Sequence, residues 1–128
     1  MKVIQELVAY FERQQKLKPA QVERLLRKGF LAADAPPTMM GLCDQIGQTY
    51  YFRVHGADSG TVWGTDVYTA DSALAAAAVH AGAVAAGEQK VIRVTVVESQ
   101  RQYVGSTRHG LTTHNFGPYG TAYRVDAL

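Results

Sequence analysis

Three groups of residues in this chain carry side chains able to do chemistry. His80 follows Ser72 and Thr69, and a hydroxyl beside an imidazole is the pairing from which nucleophilic catalysis is built. His109 and His114, with Arg108 next to them, are the residue types of a phosphodiester-cleaving acid–base pair. His55, His109 and His114 are also nitrogen donors for a metal ion. Each reading meets a physical objection. Ser72 and His80 are eight residues apart on one helix, roughly 12 Å at about 1.5 Å per residue, which is too far for direct proton transfer. His80 is therefore expected to be buried and bonded to a neighbouring backbone or hydroxyl group. No histidine pair has the helical spacing of metal ligands, and Cys43 is the only cysteine, so neither a metal site nor a cofactor is expected. No catalytic residue is assigned. A phosphate-ester-cleaving enzyme working through His109 and His114 stands as the alternative reading.

The elements that must position these residues follow from hydrophobic period and breakers. Ile4, Leu7, Val8 and Phe11 fall on one face of a 3.6-residue repeat. Pro19 breaks that repeat and suits the first turn of a second helix. Val22, Leu25 and Leu26 form the apolar face of this helix, Arg24, Arg27 and Lys28 cluster towards its C-terminal end, and Gly29 is a C-cap candidate. Residues 1–31 thus read as a helical hairpin, too small to be stable alone. It is expected to dock on the rest of the chain, on a protein partner or on a second copy. A DNA-reading helix-turn-helix is disfavoured, because reading helices present their N-terminal residues to the groove. Residues 32–48 read as a connector, since the stretch around Pro36 and Pro37 resists helix and strand.

Residues 49–128 read as the main domain. Tyr50–Val54, Thr61–Trp63, Val67–Thr69, Lys90–Glu98, Gln102–Gly105 and Thr121–Val125 are strand-like, with Ile92, Val94 and Val96 alternating cleanly. Between them Ser72–Ala81 reads as a helix capped by Asp71 or Ser72 and ended by Gly82. Leu74 to Ala81 leave it almost no polar face, which marks it as buried. Trp63, Tyr50, Phe52, Tyr68 and Tyr103 are expected to be core and cross-strand pairs rather than a stacking surface.

Composition narrows the function classes. The chain has 128 residues, of which 47% are hydrophobic and 19% charged, an ordinary globular balance. A net charge of +2 is too small to argue for a nucleic-acid partner. No stretch is long and apolar enough to span a bilayer, and the first residues lack the apolar core of a signal peptide. A cytoplasmic location is expected.

Three motifs then carry a resemblance. Val62-Trp63-Gly64-Thr65-Asp66-Val67-Tyr68-Thr69-Ala70-Asp71-Ser72, Ala76-Ala77-Ala78-Val79-His80-Ala81-Gly82 and Tyr103-Val104-Gly105-Ser106-Thr107-Arg108 resemble, in order and spacing, the signature motifs of the LCCL domain. The resemblance covers about the last 80 residues and none of the hairpin. It implies an α+β fold in which a central helix is wrapped by short strands. It also implies a binding module without enzymatic activity; animal members are secreted modules for which lipopolysaccharide or protein binding has been proposed. In that reading Trp63, Gly64, Thr65, Asp66, Tyr68, Asp71, Ser72, His80, Gly82, Tyr103 and Gly105 are structural. Animal members carry a cysteine in the central helix where Ala75 stands here, and an Asn-Gly turn where this chain has His109-Gly110. The missing cysteines fit a reducing compartment and a stand-alone, bacterial-type member.

The expectation is an intracellular, non-enzymatic binding or adaptor module that partners a protein or an anionic glycan or lipid. The hairpin would serve docking or self-association. The polar loop from Gly105 to Gly120 would supply the ligand face through Arg108, His109, His114 and Asn115.

Overall fold

The computed structural model describes residues 32–128 and, ahead of them, Ala20, Gln21, Arg24 and Leu25, all four helical. The helical hairpin expected over residues 1–31 otherwise lies outside the described residues. The elements are β1 (Ala33–Asp34), β2 (Thr49–His55), β3 (Gly64–Thr65), β4 (Val67–Thr69), α1 (Leu74–His80), β5 (Gln89–Val97), β6 (Thr107–Arg108), β7 (Leu111–Thr112) and β8 (Ala122–Ala127). This is the α+β class. Six strands form one sheet in the order β1-β2-β5-β8-β4-β3, while β6 and β7 form a separate ribbon.

The alternation in β5 orders the sheet. Ile92, Val94 and Val96 are buried and face Phe52 and Tyr50 of β2 on one side and Val125 and Tyr123 of β8 on the other. That inner face packs against α1, whose Leu74, Ala76, Ala77, Ala78, Val79 and His80 are all buried. Seven residues are too few for a helix stable in water, so tertiary burial holds it. Its methyl-sized side chains let backbone come close. At Gly60 a Cβ would sit 2.9 Å from the Ala76 methyl group.

Both ends of α1 are closed without the side-chain cap that the sequence suggests. The N-cap is Ala73, which has no side-chain hydrogen bond. Instead the Ala73 amide donates to the Thr61 carbonyl at 3.0 Å and the Leu74 amide to the Pro37 carbonyl at 2.9 Å. Ser72 is fully buried and points elsewhere: its Oγ accepts the Trp63 amide at 3.0 Å. Asp71 does not cap either; its Oδ1 is buried with no partner among the described residues. At the C-terminus the Gly82 amide reaches Val79 O and the Ala83 amide reaches Ala78 O, with Gly82 at φ +81°. This is the left-handed closing turn that favours glycine.

Some strand boundaries shift. Trp63 makes only an isolated parallel bridge with His114, and Tyr103 only an isolated antiparallel bridge with Phe116. The proline-rich stretch expected to be a plain connector contributes β1, which pairs parallel to β2. Ala33, Met39 and Cys43 from the same stretch join the hydrophobic core.

Candidate functional site

Four of the residues singled out for chemistry, His80, Arg108, His109 and His114, lie in or against a hairpin over residues 103–116 that is tied to the end of α1, whereas His55 ends β2 and Ser72 bonds with Thr69 and Trp63 instead. Tyr103 and Phe116 exchange backbone hydrogen bonds at 2.8 and 2.9 Å, and Thr107 pairs with Thr112 and Arg108 with Leu111. His109 and Gly110 form the turn, at φ +53° and +79°. Two successive positive φ values are the signature of the hairpin turn that twists with its strands. Histidine enters this region less readily than asparagine, and His109 is held there by its side chain. Its Nδ1 lies 3.1 Å from the His80 carbonyl oxygen. Its ring packs on Gly82, where an added Cβ would sit 3.0 Å from Cε1.

His80 is the centre of the arrangement and is fully buried. Its Nδ1 lies 2.9 Å from the Tyr68 hydroxyl. Its Nε2 lies 3.2 Å from both the carbonyl oxygen and the Oγ of Ser106. Ser106 Oγ is in turn 2.6 Å from Thr65 Oγ1, which donates to the Val104 carbonyl at 2.8 Å. Counting protons assigns the tautomer. A carbonyl only accepts, so Nε2 carries the hydrogen and Nδ1 accepts from Tyr68. Thr65 spends its proton on Val104, so Ser106 gives its own to Thr65. Each donor then has an acceptor. The reverse tautomer leaves the Tyr68 phenol proton without an acceptor among the described residues.

This count decides what the site can do chemically. Ser106 and His80 form the serine–histidine contact that the sequence did not reveal, since they lie 26 residues apart. A nucleophilic serine needs a bare imidazole nitrogen facing it, and here the bare nitrogen faces Tyr68 inside the core. Burial holds the His80 imidazole below its ordinary pKa, opposed in part by its bond to the Ser106 backbone. Burial also pushes the Tyr68 phenol up to about 12. Both stay neutral. The pair sequence reasoning weighed, Ser72 with His80, does not form. Ser72 Oγ is instead 2.9 Å from Thr69 Oγ1, and the Tyr123 hydroxyl donates to the Ser72 carbonyl at 3.1 Å.

The remaining motif residues brace the same hairpin. Thr113 Oγ1 donates to the Gly64 carbonyl at 2.7 Å and accepts the Ser106 amide at 2.9 Å. Asp66, in the left-handed region at φ +68°, turns the tight β3–β4 hairpin and pairs with Arg108 at 2.6 Å. Asn115 Oδ1 accepts the Gly105 amide at 2.7 Å. The Gly105 backbone passes so close to Thr113 that a Cβ would overlap its carbonyl. Three of the four residues expected to meet a ligand are thus engaged within the fold: Arg108 with Asp66, His109 with His80 and Asn115 with Gly105. His114 is exposed, its backbone stitched between Val62 and Gly64. It does not share the surroundings of His109. Among the described residues no three His, Cys, Asp or Glu side chains converge as metal ligands.

One surface feature escaped the sequence reading. Tyr50, Phe52, Tyr68 and Tyr103 are core residues, but Trp63 is only half-buried. It meets Phe116 edge to face at 6.2 Å between ring centroids, and Phe116 meets Tyr119 likewise at 6.0 Å. Phe116 is 43% exposed and Val104 57%. The Tyr119 hydroxyl lies 3.4 Å from the sulfur of Met40, itself 57% exposed. Phe116 and Tyr119 sit among Gly117, Pro118 and Gly120, a context that reads as loop and carries no strand period to flag them.

The family profile of the LCCL domain matches residues 43–122. The match begins at Cys43, ahead of the stretch over which the motifs are recognisable by eye. A human protein named Cysteine-rich secretory protein LCCL domain-containing 2 is 33% identical over 69 residues, covering 52% of this chain and 14% of that protein. The chain therefore spans about a seventh of that relative's length. Among the described residues no helix is long and apolar enough to cross a membrane.

Proposed function

Because the chain belongs to the LCCL domain family, matched over residues 43–122, we propose that it is a non-catalytic binding module. Its contact surface is the outer side of the 103–116 hairpin together with Trp63, Phe116 and Tyr119. The observation that carries this reading is the closed proton count around His80. The imidazole and hydroxyl groups with catalytic potential are consumed in fastening the hairpin to α1 and β3, and the hairpin so fastened carries Phe116 of the exposed aromatic edge. A surface held in place before it meets its partner loses little ordering entropy on binding.

The ligand class that suits this edge is a protein surface. Rings packed edge to face leave a ridge rather than a flat platform, and aromatic residues and methionine are enriched at protein interfaces. His114 and Asn115 flank the ridge with polar contacts. Arg108 and His109 act as anchors of the hairpin, and an anionic group on the partner would have to compete with Asp66 for Arg108. We place the module in a reducing, intracellular compartment in an adaptor role. In support, Cys43 is the single cysteine and is buried, with its thiol pushed up to about 11 by burial and the nearby Asp44. A thiol in that state is a poor nucleophile and a poor disulfide former.

Trp63 is the only tryptophan, so its emission reports on this surface directly. The test is to isolate the protein with its bound partner from the cell that makes it, then titrate the purified partner into the parent and into Phe116→Ala. Binding that shifts Trp63 emission and weakens at least tenfold in the variant supports the reading. Tight binding with unchanged emission and no effect of Phe116→Ala overturns it.

A further inference from the structure

Anchoring the hairpin uses only one nitrogen of His109. Its Nδ1 lies 3.1 Å from the His80 carbonyl oxygen, and a carbonyl only accepts, so Nδ1 carries the hydrogen. In the neutral ring Nε2 then keeps a bare lone pair. His109 is exposed, and among the described residues its Nε2 has no hydrogen-bond partner. The turn and the Nδ1 bond fix the ring. The two nitrogens of an imidazole point apart, so Nε2 is the atom left to meet a ligand.

His109 and Gly82, on which it packs, line a cleft of about 360 Å³. Val79, Ala83 and Val84, all buried, form its apolar floor, and Glu88 and Lys90 bring charge to it. The chain between Gly82 and Lys90 is held firmly. The Glu88 amide reaches Ala85 O at 3.0 Å, the Gly56 amide reaches Glu88 O at 2.8 Å, and Glu88 Oε1 accepts the Ala85 amide at 3.0 Å. Gly56 passes so close that a Cβ there would overlap the Ala85 carbonyl. The cleft is therefore preformed, as small-ligand sites usually are. Lys90 Nζ and Glu88 Oε1 are 3.9 Å apart, with side chains 56% and 44% exposed. That is longer than a hydrogen bond, so the ammonium keeps donors and the carboxylate keeps acceptors for a third group.

We propose that this cleft binds a free α-amino acid with a small apolar side chain, of the size of valine or leucine. The lining matches the zwitterion group by group. The ligand's ammonium donates to Nε2 of His109 and to the Glu88 carboxylate, its carboxylate accepts from Lys90, and its side chain lies on the apolar floor. An α-amino acid carries its two charges on one carbon, which suits a carboxylate and an ammonium 3.9 Å apart. A ligand with only a negative charge is repelled by Glu88, and one with only a positive charge by Lys90, so the pair discriminates against both. The cleft shares no residue with the aromatic edge at Trp63, Phe116 and Tyr119, so this inference goes beyond the binding surface proposed above and does not depend on it.

The experiment titrates the full chain with L-leucine at neutral pH and follows backbone amide shifts by NMR. L-leucinamide, which lacks the carboxylate, N-acetyl-L-leucine, which lacks the ammonium, and glycine, which lacks the side chain, are titrated beside it. The proposal expects saturable shifts at residues 79–90 and 109 with L-leucine, at a dissociation constant of about 1–10 mM for so small a ligand. Each of the other three probes should bind at least fivefold more weakly. His109→Asn removes Nε2 and keeps a residue that accepts positive φ, and Lys90→Gln changes an exposed position of β5. Each should weaken L-leucine at least fivefold, while Phe116→Ala leaves it unchanged. The absence of saturable shifts, equal binding of the amide or the acetylated probe, or full L-leucine binding in either variant overturns the proposal. Should His109→Asn loosen the hairpin, Lys90→Gln and the probe series decide.

Discussion

The Tyr68 hydroxyl sits 2.9 Å from Nδ1 of His80, with the two rings perpendicular and 5.7 Å apart. One residue ends the central helix and the other lies in β4, so this bond joins helix to sheet. Through Nε2 the same imidazole joins both to the hairpin at Ser106. A buried group with polar atoms at both ends links three elements only if each end finds its partner, and here each does.

The first consequence concerns stability. His80→Ala removes these bonds from a fully buried site, and urea unfolding should show a loss of about 1–3 kcal/mol. Tyr68→Phe leaves Nδ1 without its donor and should cost about 1–2 kcal/mol. An unchanged midpoint for either variant would mean that the junction contributes nothing.

The second concerns pH. Burial keeps the His80 imidazole below its ordinary pKa, while in the unfolded chain it titrates near about 6.5. Below that value the unfolded state binds more protons than the native state, so stability falls as pH drops; above neutrality this contribution is flat. His80→Gln lacks it, and the carboxylates act alike in both proteins. The gap in urea midpoint between parent and His80→Gln should therefore narrow from pH 7.5 to 5.5. A constant or widening gap contradicts the assignment.

A third prediction rests on Gly64, at φ +105°. A side chain there is strained in the backbone, and its Cβ would overlap the Val67 carbonyl. Gly64→Ala should cost at least about 2 kcal/mol in denaturant unfolding and should free the Asp66 turn. Parent-like stability would show that the turn can be rebuilt at no cost.

What could be read beforehand, and what could not, follows from the range of each signal. The buried helix was legible because Leu74 to Val79 offer no polar face, and β5 because Ile92, Val94 and Val96 alternate. Gly82 was legible as the helix end because it sits where a left-handed residue is needed. Asp71 or Ser72 reads as the cap because the capping rule considers only the local chain, whereas the Ser72 hydroxyl is claimed by the Trp63 amide nine residues back. The hydroxyl partner of His80 was illegible for the same reason, since no local pattern ties position 80 to Ser106. Ala33 and Asp34 gave no period at all, because a two-residue strand is set by its neighbour rather than by its own composition.

The fourth prediction separates anchoring from stability. The Asp66–Arg108 pair is largely exposed, so Arg108→Ala should change stability by less than about 1 kcal/mol, and less still in high salt. A loss well beyond that, persisting in 1 M salt, would show that the pair is a structural member and not a surface contact.

The central claim is that the one serine–histidine contact in the site is structural, with the proton of His80 on Nε2 and its lone pair locked against Tyr68. Nitrogen-15 NMR of the imidazole reads this directly. A neutral Nε2–H tautomer, with a Tyr68-bonded Nδ1 that stays unprotonated at pH values below about 6.5, the ordinary imidazole pKa, is the result predicted here. An Nδ1–H tautomer with a bare Nε2 facing Ser106, or an imidazolium near neutral pH, would contradict it and reopen the site to catalysis.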